Sequence, residues 1–396
     1  MTKPRVVIAM SGGVDSCVAA ALLKEQGYDV VGITMQLWNH ANEGEERFDS
    51  CCSLTDVHDA RLAAHQIGIP HYMVNYEREF RQGVVDYFAE EYASGRTPNP
   101  CVMCNSKLKF DHLIDRADAL GAELVATGHY ARIERRGDDM VLRRGDDPKK
   151  DQSYFLFNLK PRVLSRIMFP LADLTKEEVR AIAERHGIHT AKKHESQEIC
   201  FVSGKRYTDF LEEHYPQTTG KPGDIVDTQG QVLGHHDGIH MFTVGQRKGI
   251  GVFGPKPLYV KAIDAETGRV TVCEFHELAV GTFPLEHMNW LGEDAAAIAA
   301  SGDGVDIVIR YRSKPIPARI TQMENDRALV QLATPAPWVT PGQAAVIYQG
   351  DRVLGGGFIG DHQAYQTRSQ GEGVSTENSG RNGQTVGTDV GSSAGV

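Results

Sequence analysis

Residues 6–28 read VVIAMSGGVDSCVAAALLKEQGY: an apolar run, a Ser-Gly-Gly turn, then a helical stretch. A buried strand that turns through two glycines into a helix is the opening of a βαβ unit. It commits the chain to a parallel sheet with helices on its faces. Consecutive glycines let backbone N–H groups converge without Cβ obstruction, and the positive end of the next helix points at the same spot. Ser11 and Ser16 add hydroxyl donors, so the turn is expected to hold a phosphate or pyrophosphate. Asp15 would repel that phosphate unless a divalent cation lay between them, which implies Mg²⁺. The plainer alternative is a tight connection with no ligand. The lysine-bearing loop G-x-x-x-x-G-K-[ST] is absent. A lysine-free grip on pyrophosphate suits an enzyme that splits ATP between its α and β phosphates and leaves AMP on a substrate oxygen.

The alternation continues to about residue 128. DVVGITMQLW reads as a second strand, Ser53 or Thr55 can cap a helix that Gly68 ends, and HYMVNY reads as a third strand. A helix around Val84–Tyr92 follows, then a loop with Cys101 and Cys104, a helix through Leu108–Leu120, and the strand in AELVATGHY. Ligands of such sheets bind at the carboxyl ends of the strands, where Met10, Met35 and Gly128 fall. RIERRGDDMVLRRG reads as a hairpin, and Thr175 with Glu178 forms a capping box for a helix ending at Gly187. Short strands punctuated by Gly, Pro and Asp fill 222–361 and suggest one or two small β-barrels. His235, His236 and His240 suggest a metal to the eye, but without an acid or cysteine at ligand spacing a hairpin turn at Asp237-Gly238 is preferred. The expected organisation is an α/β domain over 1–215, helical from about 150, a small barrel over 216–290, a C-terminal barrel over 291–361, and a disordered tail over 362–396.

The net charge of −10 argues against a chain held to nucleic acid by overall charge, so any RNA contact needs a local patch. VDIVIRYRSKPIPAR supplies one: Arg310, Arg312, Lys314 and Arg319 with Tyr311 among them, the alternative being a solvated strand face. The turn GQRKG, ending at Gly249, is a weaker candidate. No apolar run approaches the ~18 residues of a membrane helix, and no leader segment is visible. Seven cysteines are an odd number for a closed disulfide set, so a reducing, cytoplasmic setting is expected. Cys101 and Cys104 admit a dithiol, half a zinc site or part of an iron–sulfur site, zinc being weakest because a second CxxC is missing. Cys17 and Cys273 read as core, and Cys51 and Cys52 sit side by side in a loop.

SGGVDS resembles the signature of the pyrophosphatase-loop ATP enzymes. GRTPNPCVMCN, ATGHYAR, KKDQSYFL, ICFV, GQRKG and VTPGQ narrow the match. Together they resemble the bacterial-type tRNA-specific 2-thiouridylases, which replace O2 of the wobble uridine by sulfur. The resemblance covers about residues 4–360. It implies an adenine nucleotide alpha hydrolase-like first domain that binds ATP with Mg²⁺ through Ala9, Met10, Ser11, Gly12, Gly13, Val14, Asp15 and Ser16, with Met35 and Gly128 flanking the adenosine. It implies that Cys104 is the nucleophile and Cys200 the persulfide carrier, the two ending as a disulfide. It implies that Asn99, Pro100 and Cys101 contact a base swung out of the anticodon stack. His129, Lys150, Asp151, Gln152, Arg310, Tyr311 and Gln343 match positions that contact the tRNA. A sulfur-donor protein, either a relay protein or a cysteine desulfurase, and a monomeric enzyme complete the expectation.

Cys101 departs from the pattern, since some relatives carry aspartate there. The alternative mechanism makes Cys101, Cys104 and Cys200 the ligands of a [4Fe–4S] cluster with one iron open to sulfide. Two other readings compete. A ligase that adenylates a small carbonyl for attack by ammonia leaves Cys104 and Cys200 without work. A non-catalytic RNA-binding protein with a cysteine–metal site leaves the glycine turn unexplained.

Overall fold

β1 (Arg5–Ala9) buries Val6, Val7 and Ile8 completely, so both of its faces are covered, as in the middle of a parallel sheet. α1 (Val14–Glu25) starts directly after Gly13, and Gly27, at φ +87°, ends it. β2 (Asp29–Gln36), α2 (Leu54–Ile67) and β3 (His71–Asn75) follow, and Gly68 turns the chain at φ +75°. Next come α3 (Glu77–Phe80), α4 (Asp86–Ala93), α5 (Pro100–Met103), α6 (Phe110–Ala119) and β4 (Leu124–Ala126). The hairpin β5 (Ala131–Arg136) and β6 (Asp139–Arg144) precedes β7 (Ile167–Met168) and α7 (Lys176–Arg185), which carries the expected Thr175–Glu178 capping box. This computed structural model describes residues 3–38, 54–137, 139–193, 199–202, 204–219, 222–324 and 326–362. Ser53, Cys51, Cys52 and nearly all of the tail lie outside the described residues.

The first sheet has the order β3-β2-β1-β4-β7, with every pairing parallel. The chain winds one way from β1 to β3 and then returns to β4 on the other side of β1. The crevice of the fold therefore opens between the carboxyl ends of β1 and β4. Alternation along β1 sorts the two cores. Val6 and Ile8 join α1, α2 and α7 through Val18, Ala60 and Val179. Val7 faces Phe80, Phe88, Phe110 and Leu113. The α/β architecture is the expected one.

α8 (Tyr207–His214) leads to β8 (Gly223–Val226), β9 (Val232–His236), β10 (Leu258–Asp264) and β11 (Arg269–Glu274), which form a sheet in the order β10-β11-β8-β9. The β8–β9 hairpin turns between Asp227 and Gln231, with Gly230 at φ +85°. Asp237-Gly238 instead leads into a single 3-10 turn, and His235, His236 and His240 are bonded separately to Asp224, Gly268 O and Glu212. β12 (Val280–Trp290), α9 (Ala295–Ser301), β13 (Val305–Val308), β14 (Ile316–Gln322), β15 (Ala328–Ala336), β16 (Ala344–Gln349) and β17 (Arg352–Ile359) complete the described chain. The strands run β12-β15-β14-β13-β16-β17 and close through β12–β17 pairing into a six-stranded barrel. β12 thus pairs inside this barrel, whereas the expected boundary near 290 gives it to the preceding domain. The β5–β6 hairpin also joins the barrel sheet, with Arg143 opposite Arg352. Among the described residues no helix is long and apolar enough to cross a membrane.

Candidate nucleotide and thiol site

The glycine turn closes on itself. Ser11 N donates to Ser16 Oγ at 3.1 Å, and Ser16 Oγ donates to Gly13 O at 3.1 Å. Gly12 has φ +72°, and a Cβ there would collide with the carbonyl oxygen of Asp56 at the start of α2, so only glycine fits. Gly128, just beyond β4, lies so near α1 that a Cβ would sit 2.7 Å from Ser16 N. Ala9 ends β1. Met10 is buried directly after it, and its N–H donates to Ile33 O at 2.8 Å. Met35 is buried near the end of β2. The ends of β2 and β4 therefore flank the turn on either side of β1, the place where a nucleotide would lie.

Asp15 is not left to a divalent cation. Lys176 Nζ lies 2.7 and 2.8 Å from its two carboxylate oxygens, and Tyr130 Oη donates to Oδ1 at 2.7 Å. Lys176 is the first residue of α7, just after the Thr175 cap. Sequence reasoning missed both partners, because no local pattern ties the start of α7 to the first turn of the chain. The Mg²⁺ expected between Asp15 and a phosphate would have to displace Lys176 from that carboxylate, so the residues present do not hold the ion there. Among the described residues no group of three or more His, Cys, Asp or Glu is placed to hold a metal.

The cysteine motif lies on a helix rather than in a loop. Asn99 is the N-cap, its Oδ1 accepting from Val102 N at 3.4 Å, and Pro100 occupies N1. Cys101 is exposed on the first turn and Cys104 is buried at its end. A π turn over Cys104–Lys109 joins α5 to α6, a form often found at functional sites. A second π turn, Arg81–Val85, joins α3 to α4 and packs against the first. Phe110 then stacks on His129 with ring centres 6.1 Å apart, while Thr127 Oγ1 lies 2.7 Å from His129 Nδ1. Burial, helped by the charge of Lys109, pushes the His129 imidazole down to about 3, so it is neutral at any ordinary pH. The helix that carries Cys104 is thereby docked on the end of β4, next to the glycine turn.

Cys200 is half-buried beside Phe201, whose ring packs against Phe88 (5.2 Å), Phe210 (5.3 Å) and Phe80 (5.7 Å). Cys104 and Phe201 belong to one hydrophobic cluster, and Cys200 packs against it. Among the described residues Cys101, Cys104 and Cys200 are not arranged as ligands of a metal cluster, so the [4Fe–4S] alternative has no support. Burial pushes the Cys17 and Cys273 thiols up to about 11, in keeping with packing roles.

Several residues expected to meet RNA are engaged within the protein. The buried Asp151 carboxylate accepts from Arg144 (2.9 Å), Ser153 N (3.0 Å) and Ser153 Oγ (3.1 Å). Gln152 Oε1 accepts from Tyr130 N at 3.0 Å. Lys150 is half-buried in the turn starting at Asp147. Gln343 Nε2 donates to Thr97 O (3.0 Å) and Pro98 O (3.1 Å). Arg310, Arg312 and Lys314 are exposed, but on a turn rather than a strand: β13 ends at Val308, Ser313 N donates to Arg310 O, and Arg312 has φ +62°. Tyr311 packs on Phe155, ring centres 4.4 Å apart, beside this basic turn.

Residues 4–204 match a family model described as the tRNA methyl transferase HUP domain, 208–274 the tRNA methyl transferase PRC-barrel domain, and 280–359 the aminomethyltransferase beta-barrel domain. A tRNA-specific 2-thiouridylase MnmA from Geobacter metallireducens is 52% identical over 90% of this chain and 97% of its own length. Proteins of the same name from Geotalea uraniireducens (51%, covering 90% and 95%) and Magnetococcus marinus (48%, covering 91% and 100%) are similar to the same extent. Among solved structures, a 4-thiouridine synthetase–RNA complex with bound ATP aligns at TM-score 0.36 and 17% identity over 54% of this chain and 51% of that one, a likeness too slight to carry an argument.

Proposed function

The chain belongs to the tRNA-specific 2-thiouridylase family, and on that premise we propose that it is an ATP-dependent sulfurtransferase acting on the wobble uridine of tRNA. ATP would sit on the Ser11–Ser16 turn with its adenosine between Met35 and Gly128. The C2 oxygen of the uracil attacks the α-phosphate, and pyrophosphate leaves. The terminal sulfur of a Cys200 persulfide then attacks C2, and AMP departs with the oxygen. Cys104 attacks the Cys200 sulfur, the bond between that sulfur and the transferred one breaks, and 2-thiouridine is released with a Cys104–Cys200 disulfide. A donor protein recharges Cys200 once a thiol reductant has opened the disulfide. Asn99, Pro100 and Cys101 face the extruded base, and Arg310 and Tyr311 take the anticodon stem-loop. The enzyme works as a monomer.

The observation that supports this most is the run from the Asn99 cap through Cys104 to Phe110. One continuous helical run joins a thiol to His129, the residue after Gly128. A methyl-transfer reading, suggested by the wording of two domain descriptions, leaves the glycine turn and the thiols without work. The test is incubation with ATP, a persulfide donor and unmodified tRNA, followed by mercury-gel retardation of the RNA. Retarded tRNA, tRNA-dependent pyrophosphate release, and loss of retardation in Cys200→Ser are expected. Pyrophosphate release driven by a small acid without RNA would make the protein a ligase instead.

A further inference from the structure

The barrel holds the segment from which the thiol helix starts. Pro341, Gly342 and Gln343 form the turn before β16. Gly342 N donates to Ile359 O at 2.8 Å and Ile359 N to Gln343 O at 2.8 Å, which fastens this turn to β17. From it, Gln343 Nε2 reaches Thr97 O and Pro98 O, and Thr97 N donates to Pro341 O at 2.8 Å. Two carbonyl acceptors demand the NH₂ side of the amide, so its orientation is fixed and both protons are engaged. Gly342 has φ +87°, and a Cβ there would lie 2.9 Å from Thr97 N and O, so the backbones meet only because the residue is glycine. The next residue continues the link: Tyr154 Oη donates to Ala344 O at 2.7 Å and also meets the Asn99 side chain. Asn99 caps the helix through Val102. Behind these bonds, Val346 and Tyr348 of the barrel share one core with Val102, Met103 and Cys104.

We propose that Gln343 is a positioning residue. It fixes Thr97–Pro98 so that Asn99 caps the helix and Cys104 stays seated, and it acts through this segment rather than by gripping RNA with its amide NH₂. That this positioning serves the reaction rests on Cys104 being the reacting thiol.

The test measures the rate at which iodoacetamide labels Cys104, by peptide mass spectrometry on the full chain without RNA or ATP. Gln343→Glu replaces the donor with a carboxylate facing two carbonyls, and Gln343→Ala removes it without repulsion. In both variants Cys104 is expected to label about tenfold faster, the size expected for losing buried hydrogen bonds that keep a segment closed. Cys17 and Cys273 should stay protected, tRNA affinity should hold within about twofold, and the thiolation kcat should fall about tenfold. An unchanged Cys104 rate with weakened tRNA binding would make Gln343 an RNA contact and overturn the proposal. So would an equal rise at Cys17 and Cys273, which would mean that Gln343 supports the whole fold. Labelling needs no turnover. A faster Cys104 in a protein whose wild type thiolates nothing would therefore sink the proposed reaction and leave the clamp standing.

Discussion

Lys176 and Asp15 form a bidentate ion pair across 161 residues, with the Lys176 side chain only 11% exposed. The start of α7 is thereby bound to the nucleotide turn. Lys176→Met leaves Asp15 to the Tyr130 hydroxyl. Because Asp15 is partly solvated, the expected loss is about 1–2 kcal/mol of unfolding free energy. Pyrophosphate release should fall by at least ~100-fold, the scale of removing a preorganised charge. Adding Asp15→Asn should recover most of the stability and none of the release. Urea unfolding and a pyrophosphate assay on the single and double variants check this, and wild-type release in Lys176→Met contradicts it.

His129 predicts an acid limb. Its folded pKa, about 3, lies below the ordinary value of 6.5, so the unfolded chain binds the proton first as pH falls. The stability it contributes is complete above about 6.5 and is lost progressively toward 3. The limiting slope is about 1.4 kcal/mol per pH unit. Between pH 6.5 and 4.5 the loss is about 2 kcal/mol. Denaturation at both pH values should show His129→Gln with a correspondingly flatter profile.

Asp151 should prove structural. Asp151→Asn breaks a buried pair with Arg144 and weakens the bonds to Ser153. A loss of about 2–4 kcal/mol in stability is expected, with tRNA affinity of the folded fraction unchanged. Filter binding alongside urea unfolding separates the two. Weak binding at wild-type stability would restore the RNA-contact reading.

Arg310 and Arg312 stand exposed on the β13–β14 turn. Replacing both with alanine should weaken tRNA binding. The slope of log affinity against log salt should drop by about 0.7 for each phosphate that is no longer neutralised, as for single-stranded nucleic acid. A titration from low to moderate salt decides it, and an unchanged slope removes the turn from the interface.

Cys101 is exposed and, among the described residues, belongs to no metal-holding group. Cys101→Asp should keep thiolation within about threefold, since exchanging an exposed side chain is usually mild. Abolished thiolation together with stoichiometric iron in the anaerobically purified wild type would reinstate a cluster.

Much of this was legible in the chain. The glycine turn, the helix ends at Gly27, Gly68 and Gly187, and the Thr175–Glu178 box are local, and each appears where its spacing requires. The Asn99–Pro100 start was readable too, since cap and N1 proline stand side by side, but the cysteines beyond it suggested a loop. What stayed hidden was tertiary. The Asp15–Lys176 pair has no local signature. The basic stretch has strand composition, yet breaks at Arg310–Ser313 with Arg312 left-handed. β12 resembles its neighbours in sequence, and only its partners β15 and β17 decide its sheet.

The π turn at Cys104–Lys109 has a geometric consequence. A π turn takes in one residue more than an α turn, and each residue of a helix advances the side chains by about 100°. The segment from Phe110 onward is therefore out of phase with Pro100–Met103, as if a rod had been cut, twisted by one notch and rejoined. Deleting a single residue there would keep every functional side chain and swing the ring at Phe110 away from the imidazole it rests on. The spare residue works as an angular setting that lets one rod aim a sulfur at one target and an aromatic ring at another.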